Sequence, residues 1–127
     1  MAAPFHLLLT GASGGLGQAL AMAYAAPGVH LSLTGRDPAR LAAVAAICRG
    51  QGATAATESL DARDGDALRE WILGRDAALP VDTGIACAGV SHAVGPDGGP
   101  EPIAAVRRVF AVNALAAVET ASALAER

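Results

Sequence analysis

Two rhythms of apolar residues alternate along this chain. Phe5 to Thr10 (Phe-His-Leu-Leu-Leu-Thr) is a run in which apolar residues follow one another, the mark of a strand buried on both faces. The alanine-rich segment from Gly15 to Ala26 is helix-prone, and Pro27-Gly28 ends it. Val29 to Thr34 alternates and is rich in β-formers, so it is a second strand, closed by Gly35-Arg36-Asp37-Pro38. Asp37 before Pro38 is an N-cap and first-turn pair for a second helix from Pro38 to Arg49, broken by Gly50-Gln51-Gly52. Ala53 to Leu60 is a weaker third strand ending at Asp61. Asp64 to Arg75 follows as a third helix, with Leu68, Trp71 and Ile72 on one face and Trp71 in the core. Val81 to Ala86 is a short fourth strand. A loop rich in glycine and proline, expected to be mobile, runs from Ser91 to Pro100. A single long helix then runs from Pro102 to the end, with Ile103, Val106, Phe110, Asn113 and Ala117 along one stripe. Asn113 falls on that apolar stripe, where a polar side chain needs a reason. His30 is read as a packed or edge histidine, because no catalytic partner lies near it in the sequence.

Four strand-helix units in strict alternation predict an α/β fold with a parallel sheet and right-handed crossovers. As one half of a Rossmann-type, doubly wound sheet, the strand order is 3-2-1-4, within a single domain spanning residues 1–127. Ligands of such sheets bind beyond the carboxyl ends of the strands where the order reverses, here between strands one and four. The glycine loop after strand one, Asp61 and Cys87-Ala88-Gly89 all fall at that edge.

The composition narrows the function. With 127 residues, 53% of them hydrophobic, there is material for one core. A net charge of −3, with no basic cluster larger than Arg107-Arg108, leaves no footprint for nucleic acid or an anionic membrane. Cys48 and Cys87 fit no metal or redox spacing, so no metal site is expected and both are read as free thiols of a reducing compartment. The N-terminus shows no leader pattern, because the glycine loop interrupts its apolar run at once, and a cytoplasmic protein is expected.

The candidate chemistry sits in Thr10-Gly11-Ala12-Ser13-Gly14-Gly15-Leu16-Gly17. Gly11 can leave the strand through a tight turn, Gly15 lets backbone approach a pyrophosphate, and Gly17 lets the next helix pack closely on the sheet. The first N–H groups of that helix lack partners within it and its dipole is positive there, so an anion is the expected occupant. Gly11, Ser13, Gly14, Gly15, Leu16 and Gly17 are therefore the candidate phosphate-binding residues. The loop lacks the Gly-Lys-Ser/Thr ending of an ATP-binding loop, which favours a dinucleotide over a nucleoside triphosphate.

This stretch strongly resembles the cofactor fingerprint of the short-chain dehydrogenase/reductase family, and the resemblance extends over the chain as the N-terminal half of such a protein. It implies an oxidoreductase moving hydride between a nicotinamide and a carbonyl or alcohol substrate. Where the family carries an acid that selects NAD, Gly35 stands here and Arg36 follows, which resembles the NADP-preferring pattern. An arginine there can pair with a 2′-phosphate. Asp61-Ala62 resembles the family's pair that receives the adenine. Ala86-Cys87-Ala88-Gly89 resembles its Asn-Asn-Ala-Gly with both asparagines replaced, leaving Cys87, Ala88 and Gly89 as cofactor contacts. Phe110-Ala111-Val112-Asn113 resembles the motif whose asparagine holds a water in the proton relay. The family's catalytic serine and Tyr-x-x-x-Lys would lie beyond Arg127, and the chain has no lysine, so turnover by this chain alone is not expected. A regulatory nucleotide-binding module and a truncated structural remnant are the alternatives. The resemblance also implies homo-oligomers through the last helix.

Overall fold

In a computed structural model, which describes residues 2–92 and 96–126, four parallel strands form one sheet in the order β3-β2-β1-β4. The strands are β1 (Phe5–Thr10), β2 (Val29–Gly35), β3 (Thr54–Ser59) and β4 (Thr83–Ala86). The helices are α1 (Gly15–Tyr24), α2 (Pro38–Gly50), α3 (Gly65–Ala78), α4 (Ile103–Phe110) and α5 (Ala116–Ala125). The parallel pairing and the strand order are those predicted.

Strand β1 is central, and its consecutive leucines feed two layers. Leu7 and Leu9 pack with Leu31 and Leu33 of β2 and with Ala21, Leu41, Val44 and Cys48 from α1 and α2. Leu8 points the other way, into Leu68, Trp71 and Ile72 of α3 and Ala116 and Ala123 of α5. Truncating any of these leucines to alanine removes both transfer energy and packing, about 2–5 kcal/mol.

The boundaries moved for local reasons. Helix α1 stops at Tyr24, short of the expected Ala26, because Ala25 is extended (φ −65°, ψ 118°) ahead of the residue that precedes Pro27. Helix α3 continues to Ala78, and Leu79 turns extended before Pro80. Strand β4 begins two residues later than expected. Val81 donates its N–H to the Asp76 carboxylate at 2.8 Å and its side chain joins the core, so pairing starts at Leu7 opposite Thr83. Asp37 and Asp64 cap α2 and α3 through Arg40 N–H (3.0 Å) and Ala67 N–H (3.1 Å).

The last helix departs most from expectation. It is interrupted by a five-residue π-helical segment, Ala111–Leu115, before continuing as α5. The wider π turn breaks the 3.6-residue register, so the expected stripe through Ile103, Phe110 and Asn113 does not face the core. The buried positions are Val112, Ala116, Thr120 and Ala123, while Ile103, Phe110 and Val118 are exposed at 62%, 66% and 65%. Ile103–Ala125 is long and apolar enough to cross a membrane by length and composition. Here α5 instead covers the sheet, packing on α3 and β4, with Leu124 over the bare backbone of Gly84. Of the Ser91 to Pro100 loop, residues 93–95 lie outside the described residues, and His92 Nδ1 lies 3.4 Å from the Glu101 carboxylate across its two ends.

A polar cluster sits at the opposite end of the sheet from the glycine loop. His6 is fully buried, with Nδ1 at 2.7 Å from the Leu79 carbonyl and Nε2 at 2.8 Å from the Ser32 hydroxyl. A carbonyl only accepts, so Nδ1 donates, and in the neutral ring Nε2 accepts from Ser32. His30 packs edge-on against His6 with ring centroids 4.8 Å apart, and its Nδ1 lies 2.7 Å from the Thr54 hydroxyl. Burial first, then the neighbouring His6 and Arg75, lower the pKa of His30 from its usual value. The folded chain thus binds this proton less readily than the unfolded chain, so the stability concerned is present above pH of about 6.5 and is lost as pH falls below it. We expect the melting temperature to fall between pH 7.5 and pH 5, and His30→Gln to shrink that fall; an unchanged profile in the variant would remove His30 as its source.

Candidate functional site

Strand β1 ends at Thr10, and the chain then passes through a loop in which backbone touches backbone. Gly11 has φ +71°, and a Cβ on it would lie 2.6 Å from the Ala88 amide nitrogen and 2.7 Å from its Cα. A side chain at Gly11 is therefore excluded by conformation and by space. A Cβ on Gly17 would run into the Gly11 carbonyl oxygen, so the first turn of α1 sits against the loop itself. Gly15 has nothing within 4 Å of its missing Cβ and opens onto the cleft. No side chain caps α1 and no acid lies in its first turn, which leaves its leading amides facing the same space.

That space is a cleft of about 760 Å³, in the size range of cofactor sites. Its lining brings together every sequence-predicted cofactor residue: Gly11, Ser13, Gly14, Gly15, Leu16, Gly17, Arg36, Asp61, Ala62, Cys87, Ala88 and Gly89. The bare backbone at Gly14 and Gly15 is a cradle that any Cβ would begin to fill, so the residues present fit a pyrophosphate. Among the described residues, no cluster of three or more histidine, cysteine or acidic side chains could hold a metal.

The wall at the end of β2 is shaped by Gly35, where a Cβ would strike the Ser13 hydroxyl. A side chain at Gly35 would require the Ser13 hydroxyl to rotate away and the loop to give by a few tenths of an ångström. Arg36 is exposed on the same wall, and its carbonyl accepts from the Ser59 hydroxyl at 3.1 Å, which ties the β2 and β3 ends together. Asp61 follows β3. Its carboxyl is lowered to about 2, first by hydrogen bonds from the Arg63 side chain, then by the Arg63 backbone N–H and the Arg63 and Arg36 charges. It is ionised at neutral pH.

Two residues do work that sequence reasoning had not assigned. Thr10 turns its hydroxyl to the N–H groups of Cys87 (3.1 Å) and Ala88 (3.2 Å), fixing the chain just beyond the end of β4. The signal was present, since Thr10 opens the glycine stretch. Asn113, expected to order a water, has its side-chain oxygen accepting from Val90 N–H at 2.7 Å and its amide donating to the Val90 carbonyl at 2.8 Å. This is the reason for a polar group on that helix: Asn113, in the π segment, holds the irregular segment that follows Gly89 at the edge of the cleft. The second lone pair of its oxygen remains for a water.

The sequence matches the short chain dehydrogenase family over residues 6–127. The chain belongs to that family. Solved structures agree with it in fold: a metagenomic short-chain oxidoreductase in complex with NADP (31% identity, TM-score 0.86, covering 96% of this chain and 55% of that one) is one. Others are a short-chain dehydrogenase from Sphingobium yanoikuyae in complex with NADPH (28%, TM-score 0.83, 97% and 48%) and an alcohol dehydrogenase from the archaeon Thermococcus sibiricus complexed with 5-hydroxy-NADP (27%, TM-score 0.83, 96% and 52%). The chain thus spans about half the length of these proteins. No protein of curated function matches it.

Because the Gly17 contact is backbone to backbone, Gly17→Ala should force α1 away from the loop. We expect a loss of about 1–3 kcal/mol in denaturant unfolding, whereas Gly15→Ala, which meets open space, should leave stability nearly unchanged. Equal effects of the two substitutions would contradict this packing.

Proposed function

We propose that these residues hold NADP(H) in preference to NAD(H), as the cofactor-binding part of an oxidoreductase acting on a carbonyl or alcohol substrate. The observation that carries this reading is the β2 wall: Gly35 puts no acid beside Ser13, and Arg36 lines the cleft next to it. A guanidinium at that point forms charge-assisted hydrogen bonds with a 2′-phosphate, while a ribose hydroxyl offers it little. The NADP, NADPH and 5-hydroxy-NADP bound to relatives of the same fold support the same cofactor.

Each part of the cleft then has a task. The open α1 amides and the bare backbone of Gly14, Gly15 and Leu16 receive the pyrophosphate. Asp61 and Ala62 receive the adenine, and Cys87, Ala88 and Gly89 bring backbone close to a ribose. The bound nicotinamide supplies hydride. Asn113 holds the Val90 segment beside the nicotinamide end and positions a water there. Two free thiols, Cys48 buried and Cys87 half-buried, fit a reducing, cytoplasmic setting. The exposed apolar side of α4 and α5, with Phe110, Leu115 and Val118, is read as the face that meets a second copy of the chain.

Titration with both cofactors tests the assignment. We expect Arg36→Ala to lower the ratio of NADP to NAD affinity by about tenfold or more, since a hydrogen bond to a charged group contributes about 1.5–3 kcal/mol; an unchanged ratio would contradict it. The carbonyl oxygen of a substrate needs a proton donor, and within these 127 residues no lysine exists to activate a tyrosine. The one tyrosine, Tyr24, instead stacks on Phe5 with centroids 6.4 Å apart, at the far end of the sheet. These residues alone should therefore bind NADPH without oxidising it in the presence of ketones or aldehydes, at a rate lower by about 10² to 10⁴ than a site with a positioned acid. Robust NADPH oxidation by this chain alone would overturn that expectation.

A further inference from the structure

The carboxylate assigned to the adenine is already occupied. Asp61 Oδ1 accepts from Arg63 N–H at 2.9 Å and from Arg63 Nε at 3.1 Å. Its Oδ2 accepts from the same Nε at 3.0 Å and from Nη2 at 2.6 Å. A carboxylate offers about four lone-pair positions, and three N–H groups of one residue take most of them, with Nε shared between the two oxygens. An adenine amino group can only donate, so at Asp61 it competes with this fork for the same two oxygens.

We propose that Arg63 competes with the adenine base for Asp61, and so sets how tightly, and how selectively over other purines, the cleft holds an adenine dinucleotide. This rests on the adenine assignment above. The two kinds of contact made by Arg63 have separate consequences. Its backbone N–H closes a turn onto Oδ1 and fixes the carboxylate's direction, whatever the side chain. Its guanidinium holds the remaining positions, including those on Oδ2. Replacing the side chain therefore leaves the acceptor aimed and removes only the competitor. Asp61 remains ionised without it, because the carboxyl then moves up from about 2 toward its ordinary 3.8, still far below neutrality.

The size of the effect follows from exposure. The Arg63 and Asp61 side chains are 49% and 37% exposed, so water screens the pair and its effect on binding is small. Breaking the fork should weaken binding by about two- to fivefold, a factor that Arg63→Ala would restore. The pair is also screened by salt, so the difference between the variant and the parent should narrow as ionic strength rises.

The test is a fluorescence titration of the full chain with NADPH and with its hypoxanthine analogue, which carries an oxygen in place of the adenine amino group. We expect Arg63→Ala to bind NADPH about two- to fivefold more tightly than the parent, with discrimination against the analogue rising by a similar factor. Asp61→Asn keeps the oxygen that meets Arg63 N–H but presents an NH₂ donor to the base, so it should weaken NADPH binding, and adding Arg63→Ala to it should give no gain. If Asp61→Asn weakens binding while Arg63→Ala leaves it unchanged or weaker, competition is wrong and Arg63 only positions the carboxylate. If Asp61→Asn leaves NADPH binding unchanged, the adenine assignment itself fails, and the proposal with it.

Discussion

The cleft depends on one steric fact: three pieces of backbone meet where no side chain fits. Gly11 leaves β1 with a positive φ, lies against Ala88 at the end of β4, and receives the first turn of α1 at Gly17. That meeting draws the amide end of the helix to the gap between β1 and β4, and Thr10 secures the gap by accepting from Cys87 and Ala88. A reversal of strand order provides a crevice in any such sheet. The absence of side chains at Gly11 and Gly17 makes this one narrow enough for backbone donors to reach an anion.

Electrostatics then divides the cleft along its length. The α1 amides and Arg36 make the phosphate end positive, while Asp61 supplies a negative acceptor next to it, held ionised by Arg63 and Arg36. Under the proposed function, phosphate meets the positive side and the amino group of an adenine the negative one. Gly35 matters by what it lacks, since no carboxylate stands beside Ser13 at the end of β2.

Much of this was legible in the sequence, for physical reasons. The run of leucines in β1 needed apolar layers on both sides, and the alternation of strand and helix left only a parallel sheet. Glycines at a strand-helix junction marked the loop because few other residues tolerate the conformation or the contact. The π segment was not legible: a five-residue turn in an otherwise helical stretch shifts the buried face without altering composition, so the stripe through Phe110 and Asn113 was drawn on the wrong side. The roles of Thr10 and Arg63 were hidden for a different reason. Each acts by hydrogen bonds whose partners depend on the folded turn, and no periodicity encodes them. His6 looked like one member of an apolar strand, although its two ring nitrogens tie Ser32 to the end of α3.

The claim that most of the account rests on is that the loop-lined cleft is a dinucleotide site. Backbone amide resonances followed by NMR during NADPH addition test it directly. The account predicts that the largest shifts fall on Gly14, Gly15 and Leu16, with further changes at Arg36, Ala62 and Ala88, and little change near Phe110 and Val118. Saturating NADPH that leaves the glycine-loop amides unmoved, or that shifts only the exposed face of α4 and α5, would contradict it.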